Sequence, residues 1–238
     1  MKPFANFIPI FEQTPAEVSF GKPSDYHIRI MEKPHPMLPV DSSEPLLEAP
    51  PANDSDQTKE ELASLQERLA SSEDSQRLME KWDVDLLVPF VKYLKDNNLP
   101  FSKKALDKII NSSTVVILKQ KYLYGRPRPA TLAKALDIPL EPLKAKTASS
   151  PAYPSGHSTQ SRLIALYLTG LHREHGKSFL DLAEECGQSR LNAGVHYPSD
   201  HEAGKELANR LYSSLSTNEL NQIKYKDLPA TPGGMEGY

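Results

Sequence analysis

The chain has 238 residues, with 28 Lys and Arg against 31 Asp and Glu, so its net charge is −3. That near-balance excludes a dedicated nucleic-acid binder, which is markedly basic, and 38% hydrophobic with 25% charged residues fits a globular core rather than a collagen or a fully disordered chain. A lone cysteine, Cys186, excludes an intrachain disulfide and a multi-cysteine zinc site.

Ten of the 21 prolines precede residue 57. Proline fixes φ and removes a donor, so residues 1–57 read as an extended arm. It either stays unpacked or lies along the core or a partner subunit through Phe4, Phe7, Ile8, Ile10 and Phe11. The first residues hold no uninterrupted apolar run and no small-residue cleavage site, so no signal peptide is expected. No stretch approaches the roughly 18–20 apolar residues of a spanning helix. The expectation is a cytoplasmic protein, or a periplasmic one if the sequence is a trimmed mature form.

Helical periodicity begins at residue 58. Thr58 and Glu61 have the spacing of a capping box, and Leu62, Leu65 and Leu69 follow at three- and four-residue intervals. A second helix is expected over 75–95, bent at Pro89. A third starts after Pro100 with Ser102 as its cap, runs to Tyr122, and is stopped by Gly125 and the prolines at 127 and 129. Residues 126–153 form a proline-broken connection with a short helix near 131–136. Further helices are expected from His157, over 178–193, and over 199–215, the last with Ser199 and Glu202 as a second capping box. No alternating strand pattern is present. The fold expected is all-α, a compact bundle of about six main helices over 58–217, with a flexible tail at 218–238.

Three clusters carry chemistry. Lys119 and Arg126 sit where a helix ends, and residues 117–146 hold seven Lys or Arg against two acids, a local basic excess suited to an anion. Ser155, Gly156 and His157 open a helix. Its first N–H groups lack internal partners and glycine lets a ligand approach closely. His196 and Asp200 lie four residues apart across a helix start, where the carboxylate can hold Nδ1–H and leave the Nε2 lone pair free. Arg190 precedes them by six residues. Each cluster also has a plain reading, as dipole-favoured cations, a simple turn, or a helix cap.

Read together, the clusters resemble the type 2 phosphatidate phosphatase and vanadium haloperoxidase superfamily, which includes the bacterial class A acid phosphatases. The pattern is K-x6-R-P, then P-S-G-H, then S-R-x5-H-x3-D. It is met here by Lys119, Arg126, Pro127, Pro154, Ser155, Gly156, His157, Ser189, Arg190, His196 and Asp200. The resemblance covers residues 100–210. It implies a metal-independent phosphatase acting on phosphate monoesters or anhydrides. Lys119, Arg126, Arg190 and the N–H groups of Ser155 and Gly156 would bind phosphate. His196, aligned by Asp200, would become a phosphohistidine, and His157 would protonate the leaving oxygen. It also implies that vanadate binds as a phosphate mimic, with no other cofactor.

The rivals are a vanadium-dependent haloperoxidase and a non-catalytic anion-binding interaction module. The expected partner is a small phosphorylated substrate, with no nucleic acid and no spanning segment, and the extended arm is compatible with a homo-oligomer. His201 is expected to point away from Asp200, His172 and His175 to face solvent, and Cys186 to be a packing residue.

Overall fold

The computed structural model describes residues 14–35, 37–71 and 74–215. Among the described residues every regular element is helical: α1 (Asp25–Met31), α2 (Asp56–Ser71), α3 (Ser75–Asp83), α4 (Leu87–Asp96), α5 (Lys103–Tyr124), α6 (Pro129–Ala135), α7 (Gly156–Leu171), α8 (Gly176–Asn192) and α9 (Pro198–Ser214). Helix α7 is the centre, packed against both α8 and α9 and crossed by α5. The core joins Leu163, Ile164 and Leu168 of α7 to Leu106, Ile109 and Val116 of α5, Phe179 and Cys186 of α8, and Leu207 and Leu211 of α9.

Helix boundaries follow local chemistry. Ser102 Oγ accepts from the Ala105 N–H at 3.2 Å and opens α5. Gly125 closes it in the left-handed region at φ 61°, where a side chain would be strained. The single helix expected over 75–95 is two: α3 ends at Asp83, and Asp85 Oδ1 accepts from the Leu87 N–H at 2.9 Å to start α4. Pro89 falls in the first turn of α4, where its missing donor costs little.

The two expected capping boxes are replaced. Helix α2 begins at Asp56, before Thr58, whose hydroxyl donates to the Ala52 carbonyl at 2.8 Å. Helix α9 begins at Pro198, and Asp200 rather than Glu202 accepts from the N-terminal backbone, taking the Tyr197 N–H at 2.9 Å. Glu61 is engaged instead by Arg126 and Ser199, across the fold.

The described part of the arm is tied to the core. Phe20 N–H donates to the Gly125 carbonyl at 3.0 Å. Gln120 of α5 donates to the carbonyls of Ser42 and Glu44 and accepts from Leu46 N–H. Tyr153 Oη donates to the Glu48 carbonyl at 2.8 Å. Helix α1 is pinned on α5 by His27 Nδ1, 2.7 Å from Tyr122 Oη. Residues 1–13, with the apolar side chains Phe4 to Phe11, and the tail expected at 218–238 lie outside the described residues. No helix among the described residues is long and apolar enough to cross a membrane.

Candidate active site

The buried charges single out one place. Among the described residues the buried Lys, Arg, Asp and Glu side chains are Glu61, Asp83, Lys121, Arg126, Arg128, Arg190 and Asp200. Burying a charge is costly unless it is paired. All seven gather around the end of α5, the start of α7 and the junction of α8 with α9. Four cations against three carboxylates leave a net positive centre inside an acidic chain.

A cavity of about 510 Å³ opens onto this centre, lined by Lys121, Arg128, Gly156, His157 and His196 together with Asp83 and Thr147. Lys119 and Arg126, expected as phosphate ligands, do not line it, whereas Lys121 and Arg128, each two residues further on, do. The pattern K-x6-R-P occurs twice, as 119/126/127 and as 121/128/129. Each helical residue advances about 100°, so positions 119 and 121 lie about 200° apart on α5 and cannot share a cavity. Lys119 faces the arm, where it makes a small contribution to holding the Asp41 carboxyl low, after the larger one from Ser43. Lys121 faces inward, and its Nζ donates to the carbonyls of Pro151 and Ala152 at 2.6 and 3.2 Å. Burial first, and then Arg128, push its pKa well below the ordinary lysine value.

Arg128 Nε donates to the Ser150 carbonyl at 2.7 Å, and its Nη1 donates to the Val195 carbonyl at 2.8 Å and to His196 Nε2 at 3.1 Å. Burial brings its pKa down to about 10. Arginine can only donate, so His196 Nε2 presents a lone pair. The proton therefore sits on Nδ1, which donates to Asp200 Oδ2 at 3.1 Å. Burial and the field of Arg128 keep His196 neutral, with a pKa well below the usual imidazole value.

Arg126 instead supports the carboxylate behind the imidazole. Its Nη1 donates to Asp200 Oδ1 at 2.7 Å, its Nη2 to Glu61 Oε2 at 2.9 Å, and its guanidinium carbon lies 3.8 Å from the Tyr197 ring centroid. Burial alone would raise the Asp200 carboxyl. Arg126 and the His196 hydrogen bond outweigh that and hold it well below the usual carboxylate range.

Ser155 caps α7, but its N–H is already taken by the Asp200 carbonyl at 2.9 Å, so it is not a free phosphate donor. The open N–H groups of the first turn belong to Gly156 and His157. His157 Nε2–H donates to the Trp82 carbonyl at 3.1 Å, and burial with the nearby Arg190 pushes its pKa down to about 3.

Arg190 does not itself line the cavity. Its Nη1 donates to Asp83 Oδ1 at 2.9 Å and its Nη2 to Thr147 Oγ1 at 3.4 Å, and both partners do line it. Asp83 also accepts from Lys146 N–H at 2.6 Å, which fixes the 146–150 segment over the cavity.

The sequence reading missed Lys121, Arg128, Asp83 and Glu61. For Lys121 a signal existed: Ile110, Thr114, Ile117 and Lys121 follow at helical spacing, and all four line the cavity. Asp83 and Glu61 carry no local signal. His201 does point away from Asp200, but into a buried network, with Nδ1 2.8 Å from Ser158 Oγ and Nε2 3.1 Å from Glu184 Oε1. His172 is buried too, and its Nε2 donates to the Pro100 carbonyl at 2.9 Å. No group of three or more His, Cys, Asp or Glu side chains among the described residues is placed to hold a metal ion.

Two histidines and buried cations thus surround one cavity, carried by three sequence clusters in this order. Residues 105–208, somewhat less than half of the chain, match the PAP2 superfamily. Over 66 residues the chain is 36% identical to the non-specific acid phosphatase of Salmonella typhi, covering 28% of this chain and 26% of that protein. Over 73 residues it is 33% identical to the non-specific acid phosphatase of Providencia stuartii, covering 31% and 29%. The matched stretch thus spans just over a quarter of each curated relative.

Two solved structures share this fold. A bacterial vanadium-dependent iodoperoxidase superposes with a TM-score of 0.57 over 74% of this chain and 53% of its own, at 19% identity. A transmembrane PAP2-type phosphatidylglycerolphosphate phosphatase from Bacillus subtilis gives 0.50 over 73% and 90%, at 18% identity.

Proposed function

We propose that the chain is a phosphatase that hydrolyses phosphate monoesters through a phosphohistidine on His196, with no metal ion in the reaction. The observation that carries this reading is the fixed tautomer of His196. Asp200 takes the Nδ1 proton at 3.1 Å, and Arg128 keeps Nε2 as an unprotonated acceptor at 3.1 Å beside Lys121. An imidazole so held is a nucleophile already deprotonated at the attacking atom.

In the first step His196 Nε2 attacks phosphorus, the bond from phosphorus to the ester oxygen breaks, and the leaving oxygen takes a proton from His157. Lys121, Arg128 and the Gly156 and His157 N–H groups offset the charge on the equatorial oxygens, the task that magnesium performs in other phosphoryl transfers. In the second step water gives a proton to His157 and attacks phosphorus, and the nitrogen–phosphorus bond breaks. His157 is neutral in the empty cavity. A phosphate dianion beside it favours its charged form, so substrate binding loads the acid. Asp200 stays ionised throughout and stabilises the imidazolium of His196.

The identities of the two acid phosphatases support this reading, as does the buried positive centre. The decisive experiment is rapid-quench mass spectrometry of His157→Ala with a phosphate ester of a good leaving group. Phosphate is expected on His196. Turnover without any phosphoenzyme, or phosphate on another residue, overturns the nucleophile. Oxidation of halide with vanadate and peroxide, in place of ester hydrolysis, overturns the phosphatase reading itself.

A further inference from the structure

The cavity is longer than a phosphate needs. Beyond Lys121 and His157 its wall is Tyr26 and Ile30 of α1, Val84 and Leu86 of the turn between α3 and α4, and Ile110 and Ile117 of α5. The cations among the lining residues are Lys121 at the end of α5, Arg128 just before α6, and Lys146 in the connection between α6 and α7. The outer wall carries Asp85 and Asp107 instead, with His27 held neutral by burial and by Lys121. Asp107 is paired with Lys103 at 2.7 Å, and Asp85 caps α4, so each acid is fixed in place.

Two rim side chains are exposed although apolar, Val84 at 69% and Tyr26 at 64%. Single exposed apolar residues are ordinary, but here they border the continuation of a cavity already lined by isoleucines. A second phosphoryl group in this outer chamber would meet the carboxylates of Asp85 and Asp107, with Lys103 already engaged by Asp107.

We infer that the outer chamber binds the alcohol portion of the substrate, and that this alcohol is uncharged and apolar, an alkyl or aryl group. Inorganic pyrophosphate and nucleotide polyphosphates are then poor substrates. Helix α1, part of the proline-rich arm and outside the matched 105–208 region, is the specificity element. The His27–Tyr122 hydrogen bond at 2.7 Å holds it over α5. This inference rests on the hydrolase reading above.

The test is a series of n-alkyl phosphates from ethyl to hexyl, whose leaving groups are alike in acidity, so that a slope in kcat/KM reports apolar contact alone. Each added methylene is expected to raise kcat/KM by about two- to fourfold, with pyrophosphate well below hexyl phosphate. Val84→Asp, an exposed position that cannot endanger the fold, and Ile30→Asp are expected to flatten the slope. Vanadate inhibition reads the phosphate end independently. If vanadate inhibits and esters are cleaved but the chain-length slope is flat, or pyrophosphate is preferred, the chamber assignment is wrong. If no ester is cleaved at all, it is the phosphatase reading that fails.

Discussion

Arg128 Nη1 lies 3.1 Å from His196 Nε2 and donates a hydrogen bond into the lone pair that would attack phosphorus. The bond orients the nucleophile and also occupies it. A phosphate oxygen is a stronger acceptor than a neutral imidazole, so substrate draws the guanidinium away and frees Nε2 at the moment of need. Arg128→Lys keeps the charge but not the planar fork. It is expected to lower kcat more than it raises KM, by about 10² in kcat/KM. An equal rise in KM with kcat intact would reduce Arg128 to a simple phosphate clamp.

The two registers of K-x6-R-P predict opposite mutants. Lys121→Ala removes a cation facing the cavity and is expected to cost about 10³ in kcat/KM. Lys119→Ala touches only the arm side of α5 and should stay within about twofold of wild type. Steady-state kinetics on one ester decide the matter, and a damaging Lys119→Ala with a mild Lys121→Ala would restore the first register.

Arg126 works through stability. Its removal strands Glu61 and Asp200, 7% and 0% exposed, without their cation. An unpaired buried charge costs about 3–5 kcal/mol, which for a chain of this size lowers Tm by about 10 °C. Calorimetry of Arg126→Ala checks this, and an unchanged Tm would mean that the carboxylates find other partners.

Acid should weaken the fold through the histidines. The folded-state pKa values of His157 and His196 lie below the unfolded value of about 6.5, His157 at about 3. Above pH 6.5 both states leave the rings neutral and stability is full. As pH falls through 6.5 the unfolded chain takes up protons that the folded chain refuses, and stability declines toward pH 3. Asp200, also depressed, adds its loss below about pH 4. Urea unfolding from pH 7 to 4 should show this decline, and His157→Asn should make it shallower by about one proton. A slope identical in the variant would mean that His157 titrates normally.

Gly187 is fixed by the network around His201. A Cβ there would lie 2.1 Å from His201 Cε1 and 3.1 Å from Ser158 Oγ. The ring cannot yield without losing Ser158 or Glu184. Gly187→Ala is expected to cost about 2 kcal/mol or more, read by denaturant titration. Gly156→Ala, whose Cβ would meet Ile117 and Lys121 at ordinary distances of 3.6 and 3.7 Å, should cost far less stability.

The sequence by itself determined the helical class, most helix positions, the PSGH turn and the pair His196 and Asp200. These are local properties: periodicity, caps, prolines, and a four-residue spacing that any helix start converts into proximity. It could not choose between Lys119 and Lys121, or between Arg126 and Arg128. Two equal strings stood two residues apart, and only the side of α5 that packs against α7 separates them. Nor could it show that Glu61, 65 residues before Arg126, completes the chain to His196, or that Asp83 anchors Arg190. Those partners are assembled by the low dielectric of the interior, which forces every buried charge to find its counter-ion wherever the chain brings one.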